Sequence, residues 1–211
     1  MMMILLLLLL LLVSVAQGFV KQPLIRITES SNTATKAFVT HFETISIPTG
    51  RGVSMVDITP MVEQAVSKSN CIEGVATVLS KHSTVGIMIN EWEPRFVDDA
   101  RHFLLKLAPR HDQYLHNDLD YRVGPPDWPG GDEAWRKFRQ GEPVNAHSHL
   151  IQFVVGTSES IPIHEGKLAL GTYQNVIVCD ADGPVGQLGN PKERTIVIQV
   201  QGNDQENSSH F

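Results

Sequence analysis

The sequence predicts a single α+β domain of mixed β-sheets with two main helices. Short β-branched segments recur at strand length from residue 37 onward, whereas only two stretches carry apolar residues at helical spacing. Strands and helices do not alternate strictly, which disfavours a doubly wound sheet. A chain of 211 residues that begins with a leader leaves enough length for one core and too little for two.

The leader comes first. Residues 1–13 are an unbroken apolar run, continued after Ser14 by Val15 and Ala16. A membrane span needs about 18–20 apolar residues, so this shorter run reads as a signal peptide, with Ala16 and Gly18 as small residues ahead of cleavage at Phe19. Residues 19–36 carry Lys21, Arg26 and Lys36, five Ser or Thr, and Glu29 as their one acid. That is the composition of a transit peptide. A signal peptide followed by such a stretch is the layout of plastid presequences that pass through the endoplasmic reticulum; a plain linker in a secreted protein fits the same residues. The chain thus divides into a signal peptide (1–18), a transit-like or linker segment (19–36), a domain (37–202) and a polar tail (203–211).

Within the domain, residues 35–48 set Phe38, Val39, Phe42, Ile45 and Ile47 among threonines, a strand pattern. Residues 49–52 make a turn and 53–58 a short return strand. Thr59 as N-cap and Pro60 at the first helical position open a helix that buries Val62, Ala65, Val66 and Ser69 and stops near Asn70. Residues 74–81 and 84–90 read as strands on either side of His82. Pro94 begins the second helix, with Phe96, Ala100, Phe103, Leu104 and Leu107 on one face and Pro109 beyond its end. Residues 111–143 are polar and turn-rich, as expected of a working loop or insertion, with Trp128 and Trp135 as its local core. Strand character returns at 146–156, 167–178 and 195–201.

Several function classes drop out. The net charge of -6 argues against nucleic acid, since phosphate-backbone binding needs a basic patch. No P-loop, GxGxxG, GxSxG or HExxH is present. Cys71 and Cys179 are far apart and read as small buried hydrophobes rather than a disulfide framework.

The histidines carry the chemistry. Read as a strand, residues 146–156 put His147 and His149 on one face, about 6–7 Å apart along the backbone. Two such imidazoles chelate a divalent ion when a third ligand arrives from elsewhere, and His116 and His82 are candidates for it. Asn90 and Glu91 precede the Pro94 helix, where free backbone N–H groups can meet an anion. A carboxylate there orients a ligand histidine or moves a proton. His41, His102 and His210 are set aside as lying on a strand, a polar helix face and the tail; His111 and His164 stay open.

Val56-Asp57-Ile58-Thr59, His82-Ser83-Thr84-Val85-Gly86 with Ile89-Asn90-Glu91, residues 114–118 and 145–149, Gly156, Leu170-Gly171-Thr172-Tyr173-Gln174 and Asp182-Gly183-Pro184 follow one another in this order. In these segments, from about Phe38 to Gly202, the sequence resembles the YjbQ-like family, also called the secondary thiamine-phosphate synthase family. The resemblance implies an α+β fold with mixed sheets, a homotrimer, and a histidine-lined site for a divalent ion, zinc, near the subunit boundary. The family pattern stresses His82, His116 and His149, with Asn90 and Glu91 nearby; joined to the His147–His149 pair, this gives His116, His147 and His149 as metal ligands and Glu91, Asn90 and His82 as catalytic residues. Asn145, Gln174, Asp182 and Arg194 would bind a small phosphorylated substrate. The activity it implies is that of a transferase joining a pyrimidine pyrophosphate to a thiazole phosphate; the alternative is a metal-centred small-molecule-binding trimer that is non-catalytic or differently catalytic. Neither nucleic acid nor, after leader cleavage, a membrane is an expected partner. The sequence departs from the family at Ser83 and Tyr173, where Thr and Trp are usual. It also departs in a longer 118–142 loop, and in residues 185–191, which separate Asp182-Gly183-Pro184 from Lys192 and Arg194.

Overall fold

The computed structural model describes residues 37–183 and 192–204. Residues 1–36, expected to be a signal and a transit-like segment, the 185–191 insertion and the tail beyond residue 204 lie outside the described residues, as do the expectations attached to them. The rest is an α+β domain of eight strands and four α-helices: β1 (Phe38–Thr49), β2 (Ser54–Asp57), α1 (Thr59–Ser69), β3 (Cys71–Ser80), β4 (Val85–Asn90), α2 (Pro94–Leu107), α3 (Gly131–Arg139), α4 (Ala146–Val155), β5 (Ser158–His164), β6 (Lys167–Leu168), β7 (Asn175–Asp180) and β8 (Lys192–Asp204). A short 3-10 turn spans Leu115–Asn117.

The strands form two sheets, ordered β1-β8-β3-β5-β6 and β2-β7-β4. The smaller sheet is the central layer. In β7, Val176 and Val178 join a core with Ile47, Ala76, Val78, Ile161, Ile196 and Ile198 of the larger sheet. The alternate residues Ile177 and Cys179 join a second core with Val97 and Leu104 of α2 and Ile151 of α4. Burial on both faces explains why β7 reads as a continuous apolar run. Helix α1 adds Val62, Ala65 and Val66 to the first core. Burial pushes the Cys179 thiol up to about 12, which makes it an inert packing group.

Helix α1 follows the expected positions, with one change at its start. Thr59 is not the cap: its N–H and hydroxyl donate to Asp57 Oδ1 (2.9 and 2.6 Å), and its oxygen accepts from Val176 N–H (2.8 Å). Asn70 ends the helix at φ 57°, the left-handed conformation that Asn tolerates. Helix α2 is capped by Glu93, whose carboxylate accepts from the N–H groups of Arg95 and Phe96. Its inner face is rotated from the expected one: Val97 and Leu104 are buried, while Phe103 and Leu107 are 61% and 52% exposed.

Two larger corrections concern residues 111–164. The long loop contains α3, seated on a cluster of Trp128, Trp135 and Phe138 with ring centroids 4.8–5.8 Å apart. Residues 146–155 are helix rather than strand. A ten-residue apolar run has no period that separates the two; Gly156, at φ 95°, closes α4 with its N–H on the Gln152 carbonyl. The strand that follows, β5, was not expected, because Ser, Glu and Pro162 break its apolar alternation.

Candidate functional site

The helical form of α4 changes the histidine geometry. At 100° per residue, His147 and His149 lie about 200° apart around the axis, so the side-by-side pair expected on a strand does not exist. His147 points inward and is 2% exposed. Ser148 donates its hydroxyl to the Ala181 carbonyl (2.7 Å), so its oxygen accepts from His147 Nε2–H (3.1 Å). The other ring nitrogen, Nδ1, is buried without a partner among the described residues. Burial, then Arg110, holds His147 below the usual histidine range.

His149 faces the other way, into a cleft of about 410 Å³ lined by Lys81, His82, Ser83, Thr84, His116, Glu142, Pro143, Asn145 and Asp182. Its Nδ1 lies 3.2 Å from the Ser83 carbonyl. A carbonyl only accepts, so Nδ1 carries a proton, and in a neutral ring the lone pair is then on Nε2. The His116 ring meets it edge-on, with centroids 4.9 Å apart and planes at 75°. His116 is carried on the Leu115–Asn117 turn, which is tied to the start of α4 by the Ala146 N–H donating to Asn117 Oδ1 (2.9 Å). Desolvation, then Arg122 and His149, lowers its basicity. Neutral imidazoles with free lone pairs are what a divalent ion needs.

His82 reaches the same cleft in a different state. Its Nε2 accepts the Thr195 backbone N–H at 2.8 Å, which commits the lone pair that a metal would use. Burial, then the Arg194 charge, disfavours its protonation.

The floor is an ion-pair network. Arg194 donates twice to Asp180 (2.7 and 3.0 Å), which also accepts from Thr49 (2.5 Å) and from the Asp182 N–H (2.9 Å). Lys192 holds the Asp182 carboxylate at 2.8 Å. Both basic residues beyond the insertion are therefore engaged with these aspartates. Glu142, which also lines the cleft, is paired with Arg122 at 3.1 Å.

The residues singled out in the sequence thus separate. His82, His116, His149, Asn145 and Asp182 share the cleft, and Arg194 lies beneath it. His147 is turned away. Asn90 and Glu91 sit at the far end of β4, six residues or about 20 Å of strand from Thr84. Gln174 is at that same far end, since Asn175 pairs with Asn90, and its side chain accepts from Gly171 N–H. Glu91, Asn90 and Gln174 therefore take no part in the cleft of their own chain. Sequence reasoning missed Lys81 and Glu142; the long polar loop was the signal for Glu142, and Lys81 carried none. Among the described residues no group of three or more His, Cys, Asp or Glu is arranged to hold a metal ion. No helix there is long and apolar enough to cross a membrane.

Comparison with known proteins agrees with the order of motifs. A family profile described as UPF0047 protein YjbQ-like matches residues 43–203. A UPF0047 protein of Methanothermobacter thermautotrophicus is 30% identical over 75% of this chain and 90% of its own. YugU of Bacillus subtilis, another UPF0047 protein, is 28% identical over 76% of this chain and 98% of its own. Among solved structures, a YbjQ-like protein of unknown function from Sulfolobus solfataricus superposes with a TM-score of 0.64 at 29% identity, covering 79% of this chain and all of that one. The chain belongs to the YjbQ-like (UPF0047) family.

Proposed function

We propose that the cleft binds a divalent ion, zinc, through His116 and His149, and with it a small phosphorylated substrate. The observation that carries this reading is the fixed ring of His149. Its Nδ1–H is spent on the Ser83 carbonyl, the outer-shell arrangement typical of a ligand histidine, and His116 stands beside it with its basicity lowered. The pair supplies two nitrogen ligands and leaves the other positions to substrate oxygens and water. A bound ion would offset negative charge on a phosphoryl group and on departing pyrophosphate. On this reading the reaction is the one the family resemblance implies, joining a pyrimidine pyrophosphate to a thiazole phosphate, with Asn145 and Asp182 orienting the substrate. Metal analysis of purified protein tests the ligand set. His149→Ala should lose most bound zinc, while His147→Ala should keep it and lose thermal stability instead. Equal zinc in the two variants removes the assignment.

A second reading, a metal-centred binding trimer without this catalysis, is favoured by the carboxylates. Asp182 and Glu142 are both ion-paired, and Glu91 is far from its own cleft, so among the described residues no unpaired acid stands there to move a proton. Pyrophosphate release from the two phosphorylated precursors, no faster than with zinc alone, would put this reading ahead.

We further propose that residues 1–18 are removed in the endoplasmic reticulum and that residues 19–36 then direct the chain to a plastid. Their composition supports this. N-terminal sequencing of tagged protein tests it: a secreted form starting at Phe19, with sugar on the Asn207-Ser208-Ser209 sequon, overturns the plastid route.

A further inference from the structure

The turn between β3 and β4 has an unusual set of unused donors. Thr195 N–H can only donate, so His82 Nε2 is the acceptor nitrogen and the neutral ring carries its proton on Nδ1. That Nδ1–H has no acceptor among the described residues. The next two residues, Ser83 and Thr84, are equally open. Their backbone N–H groups and hydroxyls donate to no described residue, although the turn is closed around them by Val85 N–H on the His82 carbonyl (3.3 Å). Lys81 precedes them with an exposed ammonium that has no partner among the described residues. All four line one cleft.

The cleft's carboxylates do not oppose an anion there. Asp182 is balanced by Lys192 and Arg194, and Glu142 by Arg122. Burial and the nearby Arg194 also keep His82 in its neutral form, so the ring offers a fixed N–H without gaining a charge that the buried guanidinium would repel. A neutral imidazole used as an N–H donor is a known way to hold an oxyanion near pH 7.

We propose that Lys81, His82, Ser83 and Thr84 form a cradle for the phosphate group of the substrate, with His82 acting as an N–H donor and not as a metal ligand. Six donors from one turn exceed what a planar carboxylate accepts and suit the several terminal oxygens of a tetrahedral phosphate. The cradle deepens the reading of the cleft as a site for a phosphorylated molecule, but it needs no metal.

The two are separated by working with ¹⁵N-labelled full chain in the presence of a chelator. Long-range ¹H–¹⁵N spectra should show His82 protonated on Nδ1 at pH 7.5, and titration with inorganic phosphate should shift that resonance to saturation. Lys81→Ala and Thr84→Val should each weaken phosphate binding roughly tenfold, the scale of one hydrogen bond to a charged group, and Lys106→Ala, at an exposed position of helix α2, should not. An Nε2–H tautomer, an unmoved His82 in saturating phosphate, or an equal response to acetate each overturns the cradle. Loss of zinc binding alone, with the phosphate response intact, overturns only the metal assignment.

Discussion

Asp180 has no exposed surface and Arg194 is 7% exposed, so each charge depends on the other. The carboxylate is saturated by two guanidinium bonds, the Thr49 hydroxyl and the Asp182 N–H. Removing one partner of such a pair leaves a buried charge without compensation, which costs about 3–5 kcal/mol, whereas replacing both by apolar groups is often close to neutral. Asp180→Ala should therefore lower unfolding free energy in urea by about that amount, and the double variant Asp180→Leu/Arg194→Met should recover most of it. A single variant as stable as wild type would show that water reaches the site. The same pair explains how the cleft is kept in shape. Arg194 and Lys192 fix Asp182 on one wall, and Thr195, next along β8, supplies the N–H that sets the His82 tautomer. Arg194 acts on the cleft through these neighbours, its guanidinium already bonded to Asp180 and Asp182.

At the scale of elements, what could be read in the sequence depended on local punctuation. Thr59-Pro60 with Asn70, and Pro94 with Pro109, bracket α1 and α2, and their boundaries follow directly. Residues 146–155 have no such bracket except Gly156, and tertiary contact with β4 decides for helix: a Cβ on Gly86 would strike Val155 and the Gly156 carbonyl. That decision reverses the His147–His149 pairing while leaving His149 beside His116. The ordered motifs placed His82, His116, His149, Asn145 and Asp182 in one family pattern, but no local signal says which end of a strand faces a cleft. Asn90 and Glu91 fall at the wrong end of β4 for this reason alone. Strand packing also sets a precise demand at Gly74 and Gly202, which face each other across β3 and β8 beside the bulge at Cys71 and Glu73. A Cβ on Gly202 would meet the Glu73 carbonyl and lie 2.6 Å from the Gly74 Cα, and backbone cannot move aside as a side chain can. Gly202→Ala should cost about 1–3 kcal/mol, the range for overpacking. Gly141→Ala, whose nearest contact would be 3.6 Å away, should be nearly neutral, so equal losses in the two variants would refute the steric account.

On the scale of the whole molecule, the outer face of the larger sheet is the surface that stands apart. Its registered rows are Thr40-Gln201-Val75-Pro162, Phe42-Gln199-Thr77-Ser160 and Thr44-Val197-Leu79-Ser158. Not one of these twelve positions is charged, in a chain that is 19% charged overall, and Phe42 is 62% exposed among them. A net charge of -6 makes a second copy repulsive at most approaches, but this uncharged face can lie against a different surface of a neighbouring copy, as a ring of three requires, without like-charge contact. Depletion of charge around an exposed aromatic is the composition of an interface centre. The last row ends beside the cleft, because Leu79 is followed by Ser80, Lys81 and His82. An assembly through this face therefore puts the site near a subunit boundary, in keeping with the homotrimer that the family resemblance implies. Light scattering of the domain should give a three-chain mass that does not change with concentration. Thr77→Arg places a charge at the centre of the face, on an outward position where the isolated domain tolerates it, and should yield a monomer with an unchanged circular dichroism spectrum. A wild-type monomer at every concentration removes the trimer, and a Thr77→Arg variant that stays trimeric moves the interface to another surface.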